Sequence, residues 1–81
     1  MSETESLNEL RSLLEELLPG CDFSTDARFV SDRVFGSLDL IVVRYGLETH
    51  YGLHLENKDM NPENFESLES IQQLIDRHLT H

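Results

Sequence analysis

The hydrophobic residues near the start of the chain recur every three to four positions. This spacing places side chains on one face of an α-helix. We therefore predict an amphipathic helix over residues 3–18, with a stripe formed by Leu7, Leu10, Leu14 and Leu17. Pro19 and Gly20 follow directly, and both residue types favour the end of a helix.

The next segment, residues 21–36, has no sustained hydrophobic period and is rich in Asp, Ser and Thr. It is predicted as a long loop. Loops of this length in small domains are usually functional or are packed by their own side chains. Three phenylalanines, Phe23, Phe29 and Phe35, indicate that this loop is pinned to the core.

A second helix is predicted over residues 37–51, between Gly36 and Gly52. One apolar stripe of this helix comprises Leu40, Val43, Leu47 and Tyr51. A second apolar face, offset from the first, comprises Leu38, Val42 and Tyr45. A helix in a three-helix core cannot bury both faces, so we expect the second face to stay partly exposed.

The last third of the chain contains a connector, residues 53–60, followed by the helix-start signal Asn61-Pro62-Glu63. A short helix through about Phe65 and a final helix over residues 68–79 are predicted. The expected fold is all-α: a small antiparallel bundle of three main helices plus one short helix, with a long first loop. It forms a single domain, residues 1–81, with its core in about 7–79. The residues expected to be buried are Leu10, Leu14, Leu17, Phe29, Leu47, Phe65, Ile71 and Ile75.

The charge of the chain narrows the classes of partner. Six Lys and Arg residues against 16 Asp and Glu residues give a formal net charge of −10. Nucleic acids and anionic membranes would repel such a chain, so a protein with a basic patch is the expected partner. The longest apolar run, residues 40–43, is far shorter than the roughly 20 residues of a membrane span. We expect a soluble, cytoplasmic monomer.

Metal binding is not expected, although two patterns resemble metal sites. The segment from Asp59 to Glu63 begins like a calcium loop, but Asn64 replaces the required glycine and Ser70 the required glutamate. His50 and His54 have a zinc-like spacing, but the glycine between them ends the helix that would align them. The single cysteine, Cys21, excludes an internal disulfide framework.

Ser37 is the most informative residue, because it lies where the long loop meets the second helix. A hydroxyl there is exposed beside backbone N–H groups that have no partner within the helix. These groups and the helix dipole favour a phosphate attached to that hydroxyl. The alternative role of Ser37 is that of an ordinary helix cap.

The segment around Ser37 resembles the acyl carrier protein family, in which an Asp-Ser-Leu motif opens the second helix. Ser37-Leu38-Asp39 match this motif and its usual continuation. Leu47-Glu48 and Tyr51-Gly52 resemble the Leu-Glu and Phe-Gly pairs at the end of that helix. Residues 61–71 resemble the stretch that leads into the last helix of the family, and the whole resemblance covers about residues 7–79.

The resemblance implies a carrier and not an enzyme. A phosphopantetheinyl transferase with its own divalent metal would attach 4′-phosphopantetheine to Ser37, and the arm would hold an acyl or aminoacyl group as a thioester. The other implied partners are a loading enzyme and downstream transferases of fatty acid, polyketide or amino-acid thioester biosynthesis. The second helix and the loop before it would recognise them through Gly36, Leu38, Asp39, Val42, Tyr45 and Glu48.

Two departures from the family pattern leave alternatives open. Gly36 replaces the aspartate that precedes the serine, and Val42 takes a position often held by Glu. Arg44 adds a positive charge and is spaced to pair with Glu48 at i, i+4. A carrier-like fold that lacks the arm and acts as a protein-interaction module is therefore the main alternative. An unrelated acidic helical bundle is a third.

Overall fold

The computed structural model describes residues 3–21, 23, 28–31 and 34–79, with side chains from residue 5 onward. Its helices are α1 (Glu3–Leu17), α2 (Ser37–Tyr51) and α3 (Leu68–Leu79). Two short 3-10 turns, Asn57–Asp59 and Pro62–Phe65, lie between α2 and α3. The described residues contain no strand, so the all-helical prediction is confirmed for this part of the chain. Of the predicted loop over residues 21–36, positions 22, 24–27, 32 and 33 lie outside the described residues.

The ends of the helices follow local chemistry. Helix α1 ends one residue earlier than predicted, and Gly20 adopts a φ of 91° just beyond it. Helix α2 has the predicted bounds. It ends at Gly52, whose φ of 67° lies in the left-handed region that glycine adopts without a steric penalty. The Gly52 N–H donates to the Glu48 carbonyl oxygen at 3.0 Å.

The connector over residues 53–60 is more ordered than predicted, because it contains the turn Asn57–Asp59. The Asp59 carboxylate accepts a hydrogen bond from the Glu56 N–H at 2.9 Å, which fixes the start of this turn. The predicted short helix is the 3-10 turn Pro62–Phe65. Asn61 Oδ1 caps that turn by accepting from the Asn64 N–H at 3.1 Å.

The core is apolar and lies around α1, which packs against both α2 and α3. The predicted core residues that are 0% exposed are Leu10, Leu14, Phe29, Leu47, Phe65, Ile71 and Ile75. The prediction for Leu17 is wrong: this residue is half-buried, because α1 ends there at the edge of the core. Leu55, from the connector, is also 0% exposed.

The first loop is pinned to the core, as its phenylalanines indicated. The ring centroids of Phe23, Phe29 and Phe35 lie 5.0–6.0 Å apart, and all three side chains are buried. The Phe29 N–H donates to the Glu66 carbonyl oxygen at 2.7 Å. This bond ties the loop to the residues just before α3.

None of the helices in the described part of the chain has the length and apolar character needed to cross a bilayer.

Candidate functional site

Ser37 is exposed and is the first residue of α2. The capping position belongs to Gly36, whose φ of −89° and ψ of 179° are extended. The Gly36 carbonyl oxygen accepts the first hydrogen bond of the helix, from the Leu40 N–H at 3.2 Å. Ser37 therefore does not serve as the N-cap, and the alternative role considered for it does not apply. Glycine has no side-chain oxygen, so it leaves the first N–H groups of α2 without a side-chain cap.

Asp39 is half-buried and acts within the chain. Its Oδ2 atom accepts a hydrogen bond from the Gly36 N–H at 2.9 Å. This contact holds the turn that presents Ser37, and it places a negative charge at the positive end of the helix dipole. The Asp39 carboxylate is thus partly committed to the helix start.

The outer face of α2 is apolar and exposed. The exposed fractions are 77% for Leu38, 63% for Ile41, 38% for Val42 and 69% for Tyr45. These residues follow the i, i+3, i+4, i+7 spacing of one helix face. The expected exposure of Leu38, Val42 and Tyr45 is confirmed. Ile41 belongs to the same face, and its spacing from Leu38 and Tyr45 is the signal that identifies it.

Glu48 is turned towards the connector. Its Oε2 atom accepts from the Leu55 N–H at 3.0 Å and lies 3.3 Å from His54 Nδ1. Its Oε1 atom lies 3.8 Å from Arg44 Nε, which confirms the expected i, i+4 pair. Arg44 Nη2 in turn donates to the Leu55 carbonyl oxygen at 2.5 Å. Both side chains therefore hold the connector, a role that no spacing in the sequence indicated.

The charged side chains of α2 therefore bond to other groups of the same chain. Asp39 bonds to the residue before the helix, and Arg44 and Glu48 bond to each other and to the connector. The exposed face formed by Leu38, Ile41, Val42 and Tyr45 presents apolar surface instead. A partner that docks there meets an apolar helix face on an otherwise strongly acidic protein.

Ser31, in the first loop, is held by the Glu66 carboxylate, which lies in the segment before α3. Glu66 Oε1 accepts from the Ser31 N–H at 2.9 Å, and Glu66 Oε2 accepts from the Ser31 hydroxyl at 2.8 Å. These two hydrogen bonds hold the pKa of the Glu66 carboxyl below its usual value. The bond from the Ser31 N–H has the larger effect, and the bond from the Ser31 hydroxyl has the next largest.

Tyr51 lies at the far end of α2, about 20 Å from Ser37 along the helix. Burial raises its pKa to about 12, and the neighbouring Glu9 carboxylate adds to the rise. Tyr51 is therefore protonated at neutral pH, and its distance from Ser37 excludes a direct role at that hydroxyl.

A polar cleft lies away from Ser37, between the connector and the last turns of α3. It has a volume of about 870 Å³, and its lining includes His54, Asp59, Asn64 and His78. None of the predicted site residues lines it. In the described ranges, no three His, Cys, Asp or Glu side chains are grouped so that they could hold a metal ion.

Comparison of the chain with protein-family models, with curated proteins and with solved structures gave no match. The carrier resemblance therefore depends on the residues quoted for it and on the geometry around Ser37.

Proposed function

We propose that this chain is a standalone acyl or aminoacyl carrier protein, with Ser37 as the attachment point of 4′-phosphopantetheine. The observation that carries the proposal is that Ser37 is exposed as the first residue of α2 without serving as its cap. The serine of the carrier motif thus stands at a loop–helix junction with its hydroxyl available. The proposal includes an antiparallel arrangement of the three helices, a cytoplasmic location and a monomeric state.

The residues around Ser37 fit a covalently attached phosphate. Gly36 is extended and has no side chain that would crowd the hydroxyl, and the first N–H groups of α2 point towards the same end of the helix. Ser37 Oγ would give its proton to a base of the transferase and bond to the phosphorus of coenzyme A that carries the pantetheine. The P–O bond between the two phosphates would break, and adenosine 3′,5′-bisphosphate would leave. A divalent metal would be held by the transferase. When attached, the arm supplies a thiol that holds the cargo as a thioester.

The chain itself performs no chemistry in this proposal. It tethers the cargo, which raises its effective concentration at each partner enzyme. It also presents the outer face of α2 to the transferase, the loading enzyme and the downstream transferases. Leu38, Val42 and Tyr45 make this contact, and Ile41 joins them because it is exposed on the same face. Gly36, Asp39 and Glu48 contribute by shaping the two ends of that surface.

The proposal is tested by labelling with fluorescent coenzyme A and a broad-specificity phosphopantetheinyl transferase. The wild type and a Ser12→Ala control, altered at an exposed position of α1, are expected to take up one label. Ser37→Ala is expected to take up none, with an unchanged circular dichroism spectrum. Label on Ser37→Ala would mean that another residue carries the arm.

A second candidate is a protein-interaction module that has lost the arm. It is favoured by the replacement of the family's aspartate by Gly36 and by the large exposed fractions of Leu38 and Tyr45. A wild-type protein that stays unlabelled, while an established carrier is labelled in the same reaction, would support this candidate over the first.

A further inference from the structure

The connector over residues 53–60, called the strap below, is weakly built into the core. Leu55 is 0% exposed, whereas Leu53 and Met60 are half-buried and the remaining side chains are polar. Leu55 is thus the main apolar anchor of these eight residues, and Leu53 and Met60 add partly buried contacts with the core. A segment with so few buried apolar contacts belongs to the low-stability end of a protein's opening equilibria.

The backbone of the strap bonds mainly to itself. The Asp59 N–H donates to the Glu56 carbonyl oxygen at 3.0 Å, and the Met60 N–H donates to the Asn57 carbonyl oxygen at 3.1 Å. Among the described residues, no backbone–backbone hydrogen bond joins the strap to α1, α2 or α3. No backbone–backbone hydrogen bond to a helix therefore has to break when the segment leaves the helices, and its short turn is not stable on its own once it has left them.

The strap is attached to α2 through the side chains of Arg44 and Glu48, which both bond to the backbone of Leu55. Glu48 accepts from the Leu55 N–H at 3.0 Å, and Arg44 donates to the Leu55 carbonyl oxygen at 2.5 Å. Arg44 Nη1 also lies 3.5 Å from Asn57 Oδ1. The Arg44–Glu48 pair thus satisfies both backbone groups of the residue whose side chain is the apolar anchor.

The opposite end of the strap contacts α3 through a side-chain hydrogen bond between Asp59 and His78. His78 Nε2 lies 3.1 Å from Asp59 Oδ2, and both side chains are largely buried. Asn64 Nδ2 donates to the Asp59 carbonyl oxygen at 2.9 Å, just beyond the strap. At the α2 end the strap begins after Gly52, where a Cβ atom would meet nothing within 4 Å. The space beside the Gly52 Cα atom at that end is open.

We propose that the strap opens from α2 as one unit, with the Arg44–Glu48 pair as its latch, while the three helices stay folded. Opening withdraws Leu55 from the core and exposes the apolar side chains that it covers. The inference is independent of the carrier function, since it depends only on contacts within the chain.

Hydrogen exchange tests the unit directly, because four strap amides are hydrogen-bonded. The Leu55 amide bonds to Glu48, whereas those of Glu56, Asp59 and Met60 bond within the strap. In the wild type all four should exchange faster than the core amides of α1 and α3, and this difference should persist in low urea. Arg44→Met should speed exchange of all four at least about tenfold.

The matched control is Arg11→Met, which removes a similar bond from an arginine to the Phe23 carbonyl oxygen. It should leave the strap amides unchanged. The proposal is overturned if the wild-type strap amides exchange only with global unfolding, or if Arg44→Met affects the Leu55 amide alone. If Arg44→Met does not fold, the same exchange rates of the four strap amides are measured in Glu48→Gln and in the wild type across the urea series. The same results then support or overturn the proposal.

Discussion

Gly36 stands where the carrier pattern has an aspartate, yet its backbone does not require glycine. Its φ of −89° is accessible to every residue type. A Cβ atom at this position would lie 3.6 Å from Asp39 Oδ2, which is an ordinary van der Waals distance. The fold therefore accepts a side chain at this position, so the residue beside Ser37 can be varied without backbone strain.

We predict that Gly36→Asp is modified faster than the wild type by a transferase adapted to an acidic residue before the serine. The new carboxylate supplies the missing charge and also caps α2. Gly36→Asn is the matched control, because asparagine caps the helix without a charge. The labelling rate with coenzyme A should rise for Asp and change little for Asn. Equal rates for all three proteins would show that the charge is unimportant here.

Gly46 lies at a close contact between α1 and α2. A Cβ atom there would lie 2.3 Å from Leu17 Cδ1, so α1 and α2 approach closely at this point. Gly46→Ala gains about 1 kcal/mol of helix propensity but forces Leu17 to move, and overpacking costs about 1–3 kcal/mol. We expect Gly46→Ala to lower the free energy of unfolding in the wild type and to raise it in a Leu17→Ala background. Urea unfolding of the four proteins measures the sign, and the same sign in both backgrounds would contradict this packing.

At the scale of the element, α2 has two faces with different tasks. Val43, Gly46 and Leu47 are buried against the core, whereas Leu38 and Tyr45 are among the exposed residues of the outer face. A change on the outer face should therefore affect partners more than stability.

Val42→Glu tests the outer face of α2. Val42 is 38% exposed, so we expect the free energy of unfolding of the Val42→Glu protein to stay within about 0.5 kcal/mol of the wild-type value. Affinity for the native loading enzyme should fall by more than about 1 kcal/mol, and wild-type binding should depend only weakly on salt. Ser12→Glu adds the same charge on α1 and is the control. Steep salt dependence of wild-type binding would instead show that charge guides it.

The first loop depends on Glu66, which accepts hydrogen bonds from Val30 and Ser31. The pKa of this carboxyl is lower in the folded chain than its usual 4.5. Its stabilisation is therefore complete above about pH 4.5 and is lost as the pH falls through the lowered folded value.

Glu66→Gln should therefore be less stable than the wild type at pH 7, and this difference should shrink as the pH falls below about 4.5. Thermal unfolding across the pH range provides the measurement, with Glu15→Gln on the exposed side of α1 as the control. A difference that does not change with pH would assign the effect of Glu66 to packing and not to its charge.

At the scale of the whole molecule, the sequence predicts what depends on local spacing. The bounds of α2, the junction at Ser37 and the burial of Phe29 follow from periodicity, turn residues and apolar composition. The hydrogen bonds from Arg44 and Glu48 to Leu55 cannot be predicted in this way. They join residues that are 11 and seven positions apart, respectively, on either side of a turn. The turn Asn57–Asp59 cannot be predicted in this way, because it has no hydrophobic period.

The central claim, that Ser37 carries a phosphopantetheine arm, is tested most directly by the intact mass of the protein purified from its own cells. The account predicts a mass increase equal to one phosphopantetheine, with or without cargo, on the peptide that contains Ser37. An entirely unmodified mass, or a modification at another residue, would contradict it.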